Sequence, residues 1–289
     1  MQREAKITPV DMQARKREGR KITMISVYDF PMARLVDRAG LDSILVGDSL
    51  AMTVLGYPST VPLTLEESLH HVKAVARAAK RTMVVADMPF MSYQSSERDA
   101  ILAAGRFLKE GMADAVKIEG GGAMVATLRA IHNAGIPIMG HVGLTPQSAA
   151  QLGGLKVQGR TAAAAQRLID DALALEDAGA FVVILECVPG EVSRIITERL
   201  RVPTISYGAG VHCDGQGMVS ADMFGLFEEF KPKFSKRYVD LGAQILKTFE
   251  AYRDDVLGGR FPAEEHTYHI DPKELAALRS GRKSPRRKR

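Results

Sequence analysis

Five short apolar runs in this 289-residue chain each end in an acid or a histidine. They are Ser43-Ile-Leu-Val-Gly-Asp48, Met83-Val-Val-Ala-Asp87, Ala115-Val-Lys-Ile-Glu119, Ile136-Pro-Ile-Met-Gly-His141 and Phe181-Val-Val-Ile-Leu-Glu186. An apolar run that stops at a polar group is how a buried strand delivers chemistry to a rim. Asp48, Asp87 and Glu119 close successive runs, and carboxylates that converge repel one another unless a cation or water compensates. Hard oxygen donors without a His or Cys cluster suit Mg2+, which keeps several waters for substrate oxygens. The alternative is a set of strand-end acids that cap helices or pair with Arg and Lys. Lys117 shares a face with Glu119, two residues on, and a lysine pointing into a core needs an anionic partner. That partner is either a substrate carboxylate or a buried Asp.

Glu186 has the position of a base that takes a proton from the carbon next to a carbonyl; a second structural ion pair is the other reading. His141 either orients a substrate or hydrogen-bonds a neighbouring acid. Cys187 points to the opposite strand face and reads as a small buried hydrophobe. His70 and His71 fall within a helix and read as surface. His212-Cys213-Asp214 resembles a metal triplet, but three consecutive residues seldom converge on one ion. Gly120-Gly-Gly122 and Gly208-Ala-Gly210 are weak candidates for phosphate cradles. No P-loop, HExxH or G-x-S-x-G motif is present.

These residues need a scaffold that brings several strand ends together. Apolar runs alternate with helical spacing about eight times, at intervals of 20 to 45 residues. Such alternation implies right-handed βαβ crossovers and a parallel sheet. Eight units in about 250 residues fit an α/β fold of the (β/α)8 TIM-barrel type, whose active site lies where the strand C-termini meet. Tyr28-Asp-Phe-Pro31, after the first strand, is not a dinucleotide fingerprint. Pro9 to Glu18 is expected to form an N-terminal helix, and Thr64-Leu-Glu-Glu67 is a capping box that starts a helix running to Lys80. The eighth strand is expected at Met218 to Met223, with helix from Ser235 to Leu257. The expected division is a single (β/α)8 catalytic domain over 1–270 and a disordered basic tail over 271–289.

Composition narrows the setting. The apolar fraction of 46% and charged fraction of 25% are those of an ordinary soluble protein. The formal charge of +5 is local: residues 279–289 carry seven Lys or Arg and no acid, which leaves the remainder at −2. No specific nucleic-acid partner is therefore expected. No apolar run approaches the roughly 18 residues of a membrane span. The first six residues lack a secretory h-region, and the two cysteines lie in unrelated segments. A cytoplasmic enzyme with small-molecule substrates is the expectation.

The chain resembles the ketopantoate hydroxymethyltransferase (3-methyl-2-oxobutanoate hydroxymethyltransferase) family of the phosphoenolpyruvate/pyruvate barrel superfamily. The similarity runs from about Lys21 to His266. It rests on VGDSLAMTVLGYPST (46–60), ADMPFMSY (86–93), VKIEGG (116–121), GHVGLTPQS (140–148), GGLKVQGR (153–160), LECVP (185–189), GAGVHCDGQ (208–216) and EEHTYH (264–269). The resemblance implies Mg2+ organised by Asp48, Asp87 and Glu119, directly or through water. It also implies keto-acid binding by Asp48, Ser49, Asp87 and Lys117, with Glu186 as the catalytic base. The implied reaction transfers a hydroxymethyl group from 5,10-methylenetetrahydrofolate to 3-methyl-2-oxobutanoate through a Mg-stabilised enolate, giving 2-dehydropantoate and tetrahydrofolate on the route to pantothenate and coenzyme A. A homodecamer of two stacked pentamers is implied as well. The chain departs from the family pattern at Ser206 and Tyr207, which add bulk where a glycine-richer stretch is usual, at Met223 to Lys233, and in the basic tail.

Overall fold

The computed structural model describes residues 5–281. They form two compact units, one ending at Val239 and the other beginning at Asp240. The first opens with α1 (Pro9–Arg17), β1 (Ile22–Ser26), α2 (Phe30–Ala39), β2 (Ser43–Val46) and the single turn α3 (Leu50–Thr53). It continues with α4 (Leu65–Ala78), β3 (Met83–Asp87), α5 (Glu97–Lys109), β4 (Ala115–Glu119), α6 (Val125–Asn133) and β5 (Ile138–Gly143). A short α7 (Ala149–Leu152) precedes α8 (Ala162–Asp177), β6 (Val182–Glu186), α9 (Gly190–Arg199), β7 (Thr204–Tyr207), β8 (Gly215–Gln216) and α10 (Ser220–Phe224). The eight strands pair in parallel and in chain order, and β8 closes on β1, so the sheet is the expected (β/α)8 barrel.

Alternation along the strands explains what the barrel holds. On β4 the outward Val116 and Ile118 pack in the layer between sheet and helices, whereas Ala115 belongs to the barrel interior. Lys117 and Glu119 follow Ala115 at the same parity and point inward. Met24, Leu45, Val85, Met139, Ile184 and Ile205 fill the lower interior, and Ile7 and Met12 from the N-terminal segment join that cluster. The segment is tied down by Arg15 to Asp42 and by Lys16 Nζ, 2.9 Å from Asp214 Oδ2. Apolar packing thus closes one end and leaves the strand C-termini for chemistry.

Local signals set the helix ends. Thr64 Oγ1 accepts the Glu67 N–H at 3.2 Å, and the Glu67 carboxylate accepts the Thr64 N–H at 2.9 Å; this is the expected reciprocal cap. The helix it starts, α4, ends at Ala78, just short of Lys80. Gly40 ends α2 at φ +78°.

The eighth strand lies earlier than expected. Only Gly215 and Gln216 form it, and Ser220–Phe224 is helix α10, ended by Gly225 at φ +65°. The Met218 carbonyl oxygen still accepts the Ser26 N–H at 2.9 Å, so the chain follows β1 briefly before turning into α10. The apolar residues at 218, 219 and 223 gave that stretch the look of a strand. The long helix starts later too, at Leu241 rather than Ser235.

The second unit contains α11 (Leu241–Leu257) and α12 (Pro272–Arg279). Asp271 caps α12 by accepting the Lys273 N–H at 2.8 Å, so the start of the stretch expected to be disordered is helical. Residues 282–289 of the basic tail lie outside the described residues. No described helix is long and apolar enough to cross a membrane.

Candidate active site

A cavity of about 690 Å³ opens at the C-terminal ends of the strands. Asp48, Ser49, Asp87, Lys117, Glu119 and Glu186 all line it. One carboxylate oxygen from each of Asp48, Asp87 and Glu119 lies within 4.8 Å of the other two, and all three residues are buried. Lys117 Nζ sits among them, 2.7 and 2.8 Å from the two Asp87 oxygens and 3.2 Å from Glu119 Oε1. The two readings of Lys117 are therefore not exclusive: it is a buried Lys–Asp pair and it also faces the cavity.

Charge in this space is unbalanced. Burial, and then the charges of Asp87 and Glu119, hold the Asp48 carboxyl well above the usual range. Burial also raises Asp87, against the pull of Lys117. Burial works the same way on Glu119, but there Lys117 and His141 win and bring it down to about 2. Lys117 is raised well above a free lysine because Asp87, Glu119 and Asp48 together outweigh its burial. Three carboxylates facing one ammonium form an oxygen-rich, net-anionic pocket, and that donor set fits a hard divalent cation such as Mg2+.

Glu186, on β6, faces this cluster from across the barrel mouth. His141, at 1% exposure, stands between the two sides: Nδ1 is 3.6 Å from Glu119 Oε1 and Nε2 is 3.4 Å from Glu186 Oε2. Neither ring nitrogen has a well-formed hydrogen bond. Burial and the Lys117 charge lower the His141 pKa, which favours the neutral ring. Burial, reinforced by Glu119, pushes Glu186 well above a free glutamic acid. A carboxyl so placed is poised for proton transfer.

Several supports were not singled out from the sequence. Gln147, in the loop after β5, donates its Nε2 to Asp48 Oδ2 at 2.9 Å and its backbone N–H to Glu119 Oε2 at 3.1 Å. The Tyr93 hydroxyl fixes that amide by donating to Gln147 Oε1 at 2.7 Å. Tyr28 OH lies 2.8 Å from Ser49 Oγ and orients it at the cavity edge. Gln147 lies inside GLTPQS and Tyr93 inside ADMPFMSY, so the motifs held a signal although strand-end reasoning did not reach these residues.

Of the other sequence expectations, some are revised and some hold. Cys187 is half-buried and lines the cavity, because φ of +47° turns the chain just after β6; burial and the Glu186 charge push its thiol up to about 12. His71 is part-buried, with Nδ1 2.7 Å from the Tyr28 carbonyl oxygen, whereas His70 is exposed. His212 is exposed, Cys213 is buried and Asp214 pairs with Lys16, so the triplet does not converge. The glycine runs are filled by the protein itself. Asp171 accepts the Gly122 N–H at 2.8 Å, and a Cβ on Gly208 would lie 2.5 Å from the Phe234 ring.

Comparison with known proteins identifies the relatives of this chain. Residues 6–264 match the family model for ketopantoate hydroxymethyltransferase. A 3-methyl-2-oxobutanoate hydroxymethyltransferase of Moorella thermoacetica is 55% identical over 268 residues, 93% of this chain and all of that relative. The enzyme of the same description from Carboxydothermus hydrogenoformans is 53% identical, covering 94% of this chain and 99% of its own. Among solved structures, phosphonopyruvate hydrolase in complex with oxalate and Mg++ aligns with TM-score 0.59 at 14% identity, over 95% of this chain and 96% of that one. A 2,3-dimethylmalate lyase aligns with TM-score 0.56 at 17% identity, over 93% and 94% of the two chains. At those identities the structural likeness bears on the fold alone. The sequence matches span nearly the whole barrel and every strand-end acid, and by them the chain belongs to the ketopantoate hydroxymethyltransferase family and is an enzyme of that class.

Proposed function

We propose that this enzyme transfers a hydroxymethyl group from 5,10-methylenetetrahydrofolate to 3-methyl-2-oxobutanoate, giving 2-dehydropantoate and tetrahydrofolate in pantothenate biosynthesis. The observation that carries this reading is the opposition of two groups across one cavity: the Asp48–Asp87–Glu119 cluster with Lys117 on one side, and Glu186 on the other. The acids of the cluster would hold Mg2+, which supplies Lewis acidity to the keto acid's carbonyl and so makes the C3 proton easier to remove.

The protein's own groups do the rest. Lys117 meets the substrate carboxylate with a charge already held in place by Asp87, so little reorganisation is needed on binding. Ser49, oriented by Tyr28, offers a hydroxyl to a substrate oxygen. Glu186 in its ionised form takes the C3 proton. The resulting enolate attacks the one-carbon unit, a C–C bond forms as the carbon leaves the folate nitrogens, and one water supplies the hydroxyl in the net reaction. His141 contacts the base side and the acid side through its two ring nitrogens and keeps Glu186 aimed inward.

Proton NMR of 3-methyl-2-oxobutanoate in D2O tests the reading. The wild type with Mg2+ should exchange the C3 proton, and Glu186→Gln should slow exchange by about 10²-fold or more while still binding the keto acid. Exchange that persists in Glu186→Gln would place the base elsewhere. A wild type that gives neither exchange nor folate-dependent turnover would overturn the substrate.

A further inference from the structure

The polar groups of the site account for half of the barrel mouth, and the other half is closed in an unusual way. β8 contributes almost no side chain to the interior, because it is only two residues long and begins with Gly215. A Cβ on Gly215 would lie 2.7 Å from the Ile22 carbonyl oxygen and 2.9 Å from Ile22 Cβ, so the neighbouring strands leave no room for one. Tyr207, the last residue of β7, occupies the sector that β8 leaves bare. Its ring lies so close over Gly217 that a Cβ there would fall 2.1 Å from Tyr207 Cε2. Its hydroxyl reaches to 3.4 Å from Ser26 Oγ at the end of β1. The tyrosine thus bridges β7 to β1, with the outer edge of its ring packed over Gly217 and its hydroxyl beside Ser26.

Tyr207 also stands beside the base. It is the register partner of Glu186 on the adjacent strand, belongs to the interior cluster with Ile205 and Ile184, and lines the same cavity. Ser206, of opposite parity, turns away and its Oγ accepts the Ala209 N–H at 2.9 Å. A 2-oxo acid with its oxygens toward the acid cluster and C3 toward Glu186 has two directions left for its alkyl substituents. On the β5 side of Glu186 stands the polar ring of His141, 3.4 Å from the carboxylate. On the β7 side stands Tyr207, with Leu45, Ile184 and Val219 also lining the cavity. Apolar substituents belong against the second wall.

We propose that Tyr207 is the specificity-determining residue that limits the size of the alkyl group on the keto-acid acceptor, an inference that rests on the functional reading above. The ring is a fixed wall, because the Ser26 contact and the Gly217 approach leave it no alternative position that does not open the barrel seam. One added methylene in such an apolar space changes kcat/KM by about 10- to 200-fold.

The test compares 3-methyl-2-oxobutanoate with 3-methyl-2-oxopentanoate, which is one methylene longer and keeps the C3 proton. Full-length wild type, Tyr207→Phe, Tyr207→Val and Tyr207→Ala are assayed for kcat/KM with methylenetetrahydrofolate and for keto-acid Kd by calorimetry. Wild type should prefer the shorter acid. Tyr207→Val and Tyr207→Ala should move the kcat/KM ratio toward the longer acid by about tenfold or more, and Tyr207→Phe, which keeps the ring, by less than about threefold. The Kd ratios should move in the same direction. Folded Val and Ala variants with the wild-type ratio would overturn the proposal, as would a wild type that uses both acids equally well, a result that requires no variant to fold. A wild type silent with every 2-oxo acid would instead overturn the functional reading beneath it.

Discussion

Gln147 holds two of the three clustered carboxylates at once, through its side-chain amide to Asp48 and its backbone N–H to Glu119. Its own carbonyl is fixed by Tyr93, and its Nε2 also donates to the Met88 carbonyl at 3.0 Å. Such outer contacts set the direction in which a carboxylate presents its lone pairs, and losing them typically costs about 10- to 100-fold in metal affinity. Gln147→Ala should therefore weaken Mg2+ or Mn2+ binding by that factor in calorimetry, with the fold intact by circular dichroism. Unchanged affinity would reduce Gln147 to a packing residue. The acids were legible in the sequence because each ends an apolar run, and parity placed Lys117 on the face of Glu119. Gln147, Tyr93 and Tyr28 were not legible that way. They act from loops or across the barrel mouth, and their partners lie 99, 54 and 21 residues away in the chain. The choice for Lys117 between substrate and Asp87 likewise needed geometry, since spacing gives its face but not its partner.

At the scale of elements, the aim of Glu186 depends on how closely β5 and β6 run at their ends. Gly143 ends β5 at φ +100°, and a Cβ there would lie 2.2 Å from the Glu186 carbonyl oxygen and 2.7 Å from Val188 Cγ2. The same carbonyl accepts the Leu144 N–H at 2.8 Å, which starts the loop that leads to Gln147. Gly143→Ala should destabilise the protein by more than about 1 kcal/mol from backbone strain alone. The added contact should push the end of β6 away and reduce kcat by about 10²-fold, the cost of a misplacement near 1 Å. Chemical denaturation and steady-state kinetics read the two effects separately; a variant with wild-type stability and kcat would mean that the strand ends tolerate the shift. The sequence carried most elements well, because apolar runs, Gly stops and the Thr64 cap are local signals. It misplaced β8 because two paired residues leave no periodicity to read, and Met218, Val219 and Met223 imitate a strand from the loop and α10.

On the scale of the whole molecule, the barrel concentrates cost at one end. Apolar layers and the N-terminal plug fill the lower interior, while Asp48, Asp87, Glu119 and Lys117 are all buried near the rim with one positive charge for three acids. Burying like charges opposes folding, so a cation that binds the folded barrel and not the unfolded chain should stabilise the entire unit. At a concentration 100 times its Kd such a ligand contributes about 2.7 kcal/mol. For a unit of this size that corresponds to a rise of several degrees in Tm, at about 2–4 °C per kcal/mol. Thermal unfolding with and without Mg2+ measures it directly, and EDTA should reverse the gain. Asp87→Asn separates the site from general salt effects: it should remove most of the Mg2+ dependence while leaving the response to NaCl unchanged. A wild-type Tm that ignores Mg2+ at every concentration would mean that the three acids are compensated by Lys117 and protonation alone, and the reading of the rim as a metal site would fall with it.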